Sequence, residues 1–286
     1  RGKMLPSVST RFNKTVKAIA AMVYEKYPRA DLRLWAYSQY REVPVGVDID
    51  PRMLVWYCIS NRCYGHGLDD PDCERNVARY DLLNRWRKAS GNRVYFYDYL
   101  TCTPQYYTCN ETTEPHDIRL YKRLGILGWK NEAPFSDAFF VPVRKEGFDR
   151  RTQRFPSCWQ WLYVTAHMLW DPDLDEHALL DDAESKYYGA AYPAMREYQA
   201  CRRKLWSGNR NHMGYPMDDQ RRPSVLDAEG SKERLLGLLD RADALAAGDA
   251  RLRSRLRLER QWLTDYWIAP NEVLRARRAH PISAPL

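Results

Sequence analysis

The sequence predicts an α/β fold with a parallel sheet, followed by an all-helical region, on three observations. Short apolar and aromatic runs of strand character alternate with segments of helical period as far as Trp129. The strand runs are separated by intervals that suit βαβ units, in which a helix carries the chain back to start a parallel strand. From Cys158 onward the apolar residues recur at helical spacing only.

Taken in order, residues 12 to 27 place Phe12, Val16, Ile19, Ala20 and Val23 on one helical stripe, closed by Pro28. Leu32 to Tyr37 is a short apolar and aromatic run, hence a buried strand, with a loop through Pro44. Met53 to Cys58 is a second strand. It leads through a polar loop, Ser60 to Cys73, into a helix from Glu74 to Ala89 that Gly91 stops. Arg93 to Tyr99 is a third strand of high β propensity, and a helix from Asp117 to Leu124 follows. Gly125 to Trp129 reads as the fourth strand. Four such units leave two architectures open, an open four-stranded sheet or half of a (β/α)8 barrel, which takes eight strands and typically about 250 residues.

Beyond Cys158, helices are predicted over Trp159–Leu169, Glu176–Tyr188, Tyr192–Leu205, Lys232–Ala247 and Arg251–Trp267. The breaks between them fall at Asp171-Pro172, Gly189, Gly208, Gly230 and Gly248-Asp249, where caps belong. The stretch Ser207 to Asp227, rich in Asn, Gly, Pro and charge, reads as a linker.

With 286 residues, 44% of them hydrophobic, the chain can bury a substantial core. Its net charge is +8, and residues 201 to 286 hold 17 Lys and Arg against 11 Asp and Glu. A basic helical region of this kind is read as a solvated surface, so nucleic acid is not an expected partner. No apolar run approaches the roughly 20 residues needed to cross a bilayer, so no membrane partner is expected either. The opening Arg1-Gly2-Lys3-Met4 shows no secretory leader. Cysteines stand at 58, 63, 73, 102, 109, 158 and 201 without a C-x-x-C pair. With no G-x-S-x-G elbow, no G-x-G-x-x-G and no phosphate-binding loop, neither a nucleophilic triad nor a cofactor is expected.

In parallel α/β folds the carboxyl ends of the strands carry the chemistry. Those ends hold Tyr37 to Tyr40, Asn61 to His66, Asp98-Tyr99 and Trp129 to Glu132. Aromatic faces stack on sugar rings, and glycoside hydrolysis uses one protonated and one ionised carboxyl group. The candidate acids are Asp98 and Glu132, and Trp35, Tyr37, Tyr40, His66, Tyr97 and Trp129 are candidate sugar-binding residues. The plainer alternative gives Asp98 to loop amides and Glu132 to solvent. His66 either bonds a substrate hydroxyl or braces its loop. Cys63, His66, Asp69, Asp70, Asp72 and Cys73 crowd one loop, but without a recognised ligand spacing. The acids before Glu74 equally suit a helix N-terminus, and no metal site is expected.

Several segments resemble the bacterial family known as domain of unknown function 4838. They are Cys63-Tyr64-Gly65-His66-Gly67-Leu68, residues 94 to 99, residues 124 to 128, residues 168 to 175 and Lys186-Tyr187-Tyr188-Gly189-Ala190-Ala191. The resemblance covers roughly residues 10 to 270. It implies a glycoside-hydrolase-like protein related to α-glucuronidases and hexosaminidases. In that reading the chain is the C-terminal half of a (β/α)8 barrel, a partial barrel over residues 1 to 206, with a linker over 207 to 230 and a helical region over 231 to 286. Asp98 and Glu132 would then be the base-side carboxylates, and the proton donor would come from an earlier strand, leaving this part inactive alone. The resemblance also implies an extracellular or periplasmic full-length protein and a carbohydrate substrate; apart from it, a homodimer is another way to complete a half-barrel. The rival expectations are a carbohydrate-binding protein without turnover and an interaction module that uses the basic helices.

Overall fold

In β1 (Arg33–Ala36) buried Leu34 and Ala36 alternate with exposed Arg33 and Trp35, so one face of the strand is committed to a core. β2 (Leu54–Cys58) is buried along its whole length, as an interior strand of a parallel sheet should be. In β3 (Val94–Asp98) Val94, Phe96 and Asp98 are buried and Tyr95 and Tyr97 are half-buried. With β4 (Gly128–Asn131) these strands form an all-parallel sheet in the order β1-β2-β3-β4. This is a computed structural model, and it describes residues 7–99, 107–131, 157, 159–214 and 218–280. Cys102, Cys158 and Glu132 lie outside the described residues.

The register aligns Trp35, Trp56, Tyr95 and Gly128 across the sheet, and Cys58, Tyr97 and Lys130 in the next row along. Gly128 ends the first row because the Tyr95 ring occupies its side-chain space: a Cβ there would fall 2.1 Å from Tyr95 Cε1. The opposite face of the sheet carries Leu34, Ala36, Val55, Tyr57, Val94 and Phe96. Three helices cover it, α1 (Val8–Lys26), α2 (Glu74–Ala89) and α3 (Glu114–Arg123), through Ala20, Tyr24, Leu82, Leu83, Trp86, Leu120 and Tyr121. Full burial of a side chain such as Leu83 contributes roughly 1.5–3 kcal/mol. Ser7 caps α1 by accepting from Thr10 N. The Trp86 indole donates to Arg41 O at 2.6 Å, which ties α2 to the loop after β1.

The helices beyond are α4 (Trp159–Trp170), α5 (Glu176–Tyr188), α6 (Tyr192–Ser207), α8 (Ser231–Leu245), α9 (Ala250–Leu263) and α10 (Ala269–Ala279). Asp175 and Asp249 cap α5 and α9 with side-chain hydrogen bonds, and Gly189 ends α5 at positive φ. Between α6 and α8, β5 (Met213–Gly214) pairs antiparallel with β6 (Asp218–Asp219), and one helical turn follows, α7 (Arg221–Ser224). Met213, Val225 and Leu226 of this segment are buried in the same cluster as Tyr188, Tyr198, Leu239, Leu256 and Trp267. No helix among the described residues is long and apolar enough to cross a membrane.

Three sequence readings are corrected. The fourth strand runs over Gly128–Asn131 rather than Gly125 to Trp129, because Gly125, at φ 68°, and its neighbours still belong to the turn that closes α3. Trp129 therefore lies inside the strand rather than at its carboxyl end. The acids of residues 69 to 72 do not cap α2: its N-cap is Cys73, and Asp70 instead accepts from Asp72 N. Helix does not stop at Trp267, since a π-helical turn at Thr264–Ile268 leads into α10, whose first turn accommodates Pro270 where no backbone donor is needed.

Candidate functional site

The sheet face away from α1, α2 and α3 is aromatic. Trp35 stacks on Trp56 (5.1 Å between centroids, 29° between planes) and Trp56 on Tyr95 (5.5 Å, 18°). Tyr97 meets Trp35 edge-on at 5.2 Å, and Tyr99 continues the series to Tyr37. Such pairs contribute roughly 0.5–1.5 kcal/mol each beyond buried area, and they hold the rings in fixed planes. Arg33 and Lys130 flank Trp56, each 5.6 Å from its ring centre. Trp161 of α4 closes one side of this face by packing with Cys58, Tyr64 and Tyr99. Trp35 and Tyr37 remain open to solvent, at 40% and 41% exposure.

Asp98 points elsewhere. The alternation of β3 sets it with Val94 and Phe96, opposite Tyr95 and Tyr97, and it is fully buried. It accepts from Tyr64 Oη at 2.7 Å and from Tyr99 N at 2.7 Å, and it lies 3.4 Å from Arg62 Nη1. Arg62 also pairs with Asp117 and donates to Tyr121 Oη at 2.9 Å. Asp117 in turn accepts from Leu68 N at 2.8 Å. A third buried acid, Glu114, belongs to the same group: its pKa is raised well above the ordinary carboxyl value, first by burial and then by Asp98. One Glu114 carboxyl oxygen, Oε1, has no hydrogen-bond partner. One guanidinium among three carboxyl groups cannot balance them all, and Glu114 is the one that keeps its proton.

A stability consequence follows with a definite sign. A carboxyl whose folded pKa is raised favours the fold below its unfolded pKa, and that contribution is lost as pH rises through the folded value. Between the ordinary glutamate pKa and the raised pKa of Glu114, unfolding free energy should therefore fall by up to about 1.4 kcal/mol per pH unit on account of this group. Glu114→Gln is expected to remove that component, which urea titrations of both proteins across the range would reveal as a shallower pH slope.

Of the residues singled out from sequence, the structure brings Trp35, Tyr37 and Tyr97 together on the open face, joined by Trp56, Tyr95 and Tyr99. Tyr40 sits at its margin, 6.5 Å from Tyr37, and stacks on Phe12 of α1 at 4.1 Å. Trp129 packs on the helix-covered face, where its register partner is Phe96. His66 is 4% exposed and braces its loop, with Nδ1 3.3 Å from Cys63 Sγ and Nε2 2.8 Å from Arg221 Nη2. Sequence reasoning missed Arg62, Glu114 and Asp117. Its only signal for them was charge within otherwise apolar surroundings at the ends of β2 and the start of α3.

Among the described residues, Cys63, His66, Cys73 and His212 form one set of metal-type ligands, with one ligand atom from each all within 4.8 Å of one another. Hydrogen bonds from Cys73 and His66 draw the Cys63 thiol below its ordinary pKa, against the burial that works to raise it. Among the described residues Asp69, His116 and Asp117 make a second, more exposed group, in which His116 Nε2 lies 2.6 Å from Asp69.

No curated protein and no solved structure matches the chain. A family model does, over residues 6–200, which takes in the whole sheet, the aromatic face, the Arg62 carboxyl cluster and the helices through most of α6. The chain therefore belongs to the family described as Domain of unknown function (DUF4838).

Proposed function

We propose that this chain is the sugar-binding part of a carbohydrate-active, glycoside-hydrolase-like protein, and that its sheet is four consecutive strands of a (β/α)8 barrel. The sequential parallel order, with α1, α2 and α3 together on one face, supports the barrel reading, in which the aromatic face is the inner wall. The observation that carries the functional reading is the open face of Trp35, Tyr37 and Tyr97. Flat π faces attract the electropositive C–H edges of pyranose rings, and a rigid stack loses little freedom when it binds. The flanking Arg33 and Lys130 add donors for hydroxyl or carboxylate groups of a sugar.

For hydrolysis, Asp98 and Glu132 are the proposed carboxylate pair, and Glu114 is a carboxyl group that burial keeps in the protonated state a general acid needs. One observation favours a second reading, sugar binding without turnover: Asp98 is fully buried and engaged by Arg62, Tyr64 and Tyr99 N. Asp98→Asn separates the two. In an enzyme, hydrolysis of an oligosaccharide should fall by about 10²–10⁴-fold while affinity changes little. In a binding protein neither form turns over and affinity is kept. Circular dichroism of the variant must first show the native helix content, because the substituted side chain is buried.

A further inference from the structure

The loop after β2 and the segment before β5 meet in a set of side chains that neither the sugar-binding reading nor the carboxyl cluster uses. Cys63 Sγ lies 3.3 Å from His66 Nδ1, and Cys73 Sγ lies 3.7 Å from His212 Nδ1. The two imidazole rings stand 5.6 Å apart at 89°, so each presents its Nδ1 edge from a different direction. In a tetrahedral site with metal–sulfur bonds of about 2.3 Å and metal–nitrogen bonds of about 2.0–2.1 Å, sulfur and nitrogen ligands are roughly 3.5 Å apart. The two observed separations bracket that distance.

We propose that Cys63, His66, Cys73 and His212 bind a single zinc ion in a closed, tetrahedral Cys2His2 site that fastens the β2–α2 loop to the segment ahead of β5. The surrounding groups are those of a structural metal centre. Met213 N donates to Cys63 Sγ at 3.4 Å. The backbone N–H groups of Arg75 and Asn76 donate to Cys73, which stands at the N-terminus of α2 where negative charge is favoured. Glu74 Oε1, on an exposed side chain, lies 3.9 Å from His212 Nε2, beyond hydrogen-bond reach but on the side where a carboxylate can orient a ligating histidine. The Asn76 side chain bonds Cys63 N and the carbonyl oxygens of Cys63, His66 and Gly67, which fixes the loop that bears two of the ligands. A bridge between Cys63 and Gly214, and a hydrogen bond from Tyr64 N to Met213 O at 2.6 Å, hold His212 against them. The His212 side chain, 20% exposed, gives the ion a way in.

The proton balance is explicit. Without metal, His66 carries its proton on Nδ1 toward the Cys63 sulfur and accepts from Arg221 at Nε2. Zinc takes the Nδ1 lone pair of His66, whose proton moves to Nε2, and it binds both sulfurs as thiolates, so each thiol that carries a proton releases it to solvent. Arg221 then gives up its contact with His66 but keeps those to Trp206 O and Asn211 O.

The site would hold in place the loop that supplies Arg62 and Tyr64 to Asp98, and its fourth ligand comes from beyond the family match at residues 6–200. It stands on this loop geometry alone, so its failure would leave the sugar-binding proposal untouched.

The test uses the full chain, purified with its thiols reduced, and zinc or cobalt(II) alone as probe. The expected result is one zinc per chain by elemental analysis. Cobalt(II) in its place should give the intense visible bands of a tetrahedral ion together with thiolate charge transfer. Cys73→Ser and His212→Gln should each weaken binding by more than the roughly 10–100-fold that loss of an outer-shell group costs, whereas Cys201→Ser should not. Should the ligand variants fail to fold, alkylation of the unmutated protein decides the matter: zinc should protect Cys63 and Cys73, and a chelator should expose them. Absence of stoichiometric metal, a pale octahedral cobalt spectrum, equal affinity in the variants, or a Cys63–Cys73 disulfide in place of the ion would overturn the proposal.

Discussion

Arg62→Met should destabilise the fold by about 3–5 kcal/mol, the usual cost of removing one partner from a buried ion pair. Arg62 is 1% exposed and is the counter-charge for both Asp98 and Asp117, which belong to β3 and α3. Methionine fills much of the same volume, so the loss comes from charge rather than from a cavity. The two carboxylates would be left in a medium that solvates them poorly, and burial already works to raise the pKa of Asp117. For a chain of this size the melting temperature should fall by roughly 6–20 °C. Adding Asp98→Asn and Asp117→Asn to Arg62→Met should recover part of the loss, because no ion is then left unpaired. A triple variant no more stable than Arg62→Met alone would refute the electrostatic account.

An effect of similar size is expected at Glu259→Ala in the helical region. Glu259 is fully buried and accepts from Tyr107 Oη and Tyr188 Oη, both at 2.5 Å, while Arg202 lies near enough to favour its charge. Arg202 is itself buried and paired with Glu111 at 2.8 Å, and Tyr107 Oη also meets Tyr198 Oη at 2.7 Å. The network thus joins the segment after β3 to α5, α6 and α9. Truncation to alanine leaves the Tyr188 hydroxyl without its acceptor and Tyr107 with Tyr198 alone, weakens the balance around Arg202 and opens a void, for a total of about 3–5 kcal/mol. Glu259→Gln keeps the shape and one acceptor oxygen, so it should cost less than half as much. Denaturant melts of the two variants test the ranking directly, and equal losses would mean that packing rather than hydrogen bonding decides this position.

Elements with one strong period and clean ends were legible in the sequence: α2 and α5 occupy the predicted residues, and β1, β2 and β3 fall within a residue or two of theirs. The sequence reading of β4 starts three residues early because Gly125, Ile126 and Leu127 look like strand, although Gly125 and Ile126 bond back to α3 and only Leu127 reaches β3, through Val94 O. The shift moves Trp129 from the carboxyl end of the strand to its interior, on the helix-covered face. α10 was missed because Pro270 looks like a stop, whereas in a first turn it is tolerated.

The aromatic face could be anticipated at Trp35, Tyr37 and Tyr97, where alternation along β1 and β3 is regular. The charged cluster could not, because Arg62 reaches Asp98 and Asp117 across 36 and 55 positions of sequence and local pattern carries no information at that range. The cysteine and histidine set was half visible for the same reason. Cys63, His66 and Cys73 share a loop, but His212 arrives from 139 positions beyond Cys73.

The most direct test of sugar binding on the open aromatic face is calorimetry with cello-, xylo-, chito- and uronate-bearing oligosaccharides, comparing the unmutated chain with Trp35→Ala. Trp35 is 40% exposed, so its removal should cost the fold only its two ring contacts, roughly 1–3 kcal/mol, while taking away the largest accessible stacking surface of that face. The account predicts that at least one oligosaccharide binds the unmutated chain and that Trp35→Ala weakens it by about 10-fold or more, the equivalent of roughly 1.4 kcal/mol. An oligosaccharide that binds both proteins with equal affinity, or a failure of the whole panel to bind the unmutated chain, would contradict it.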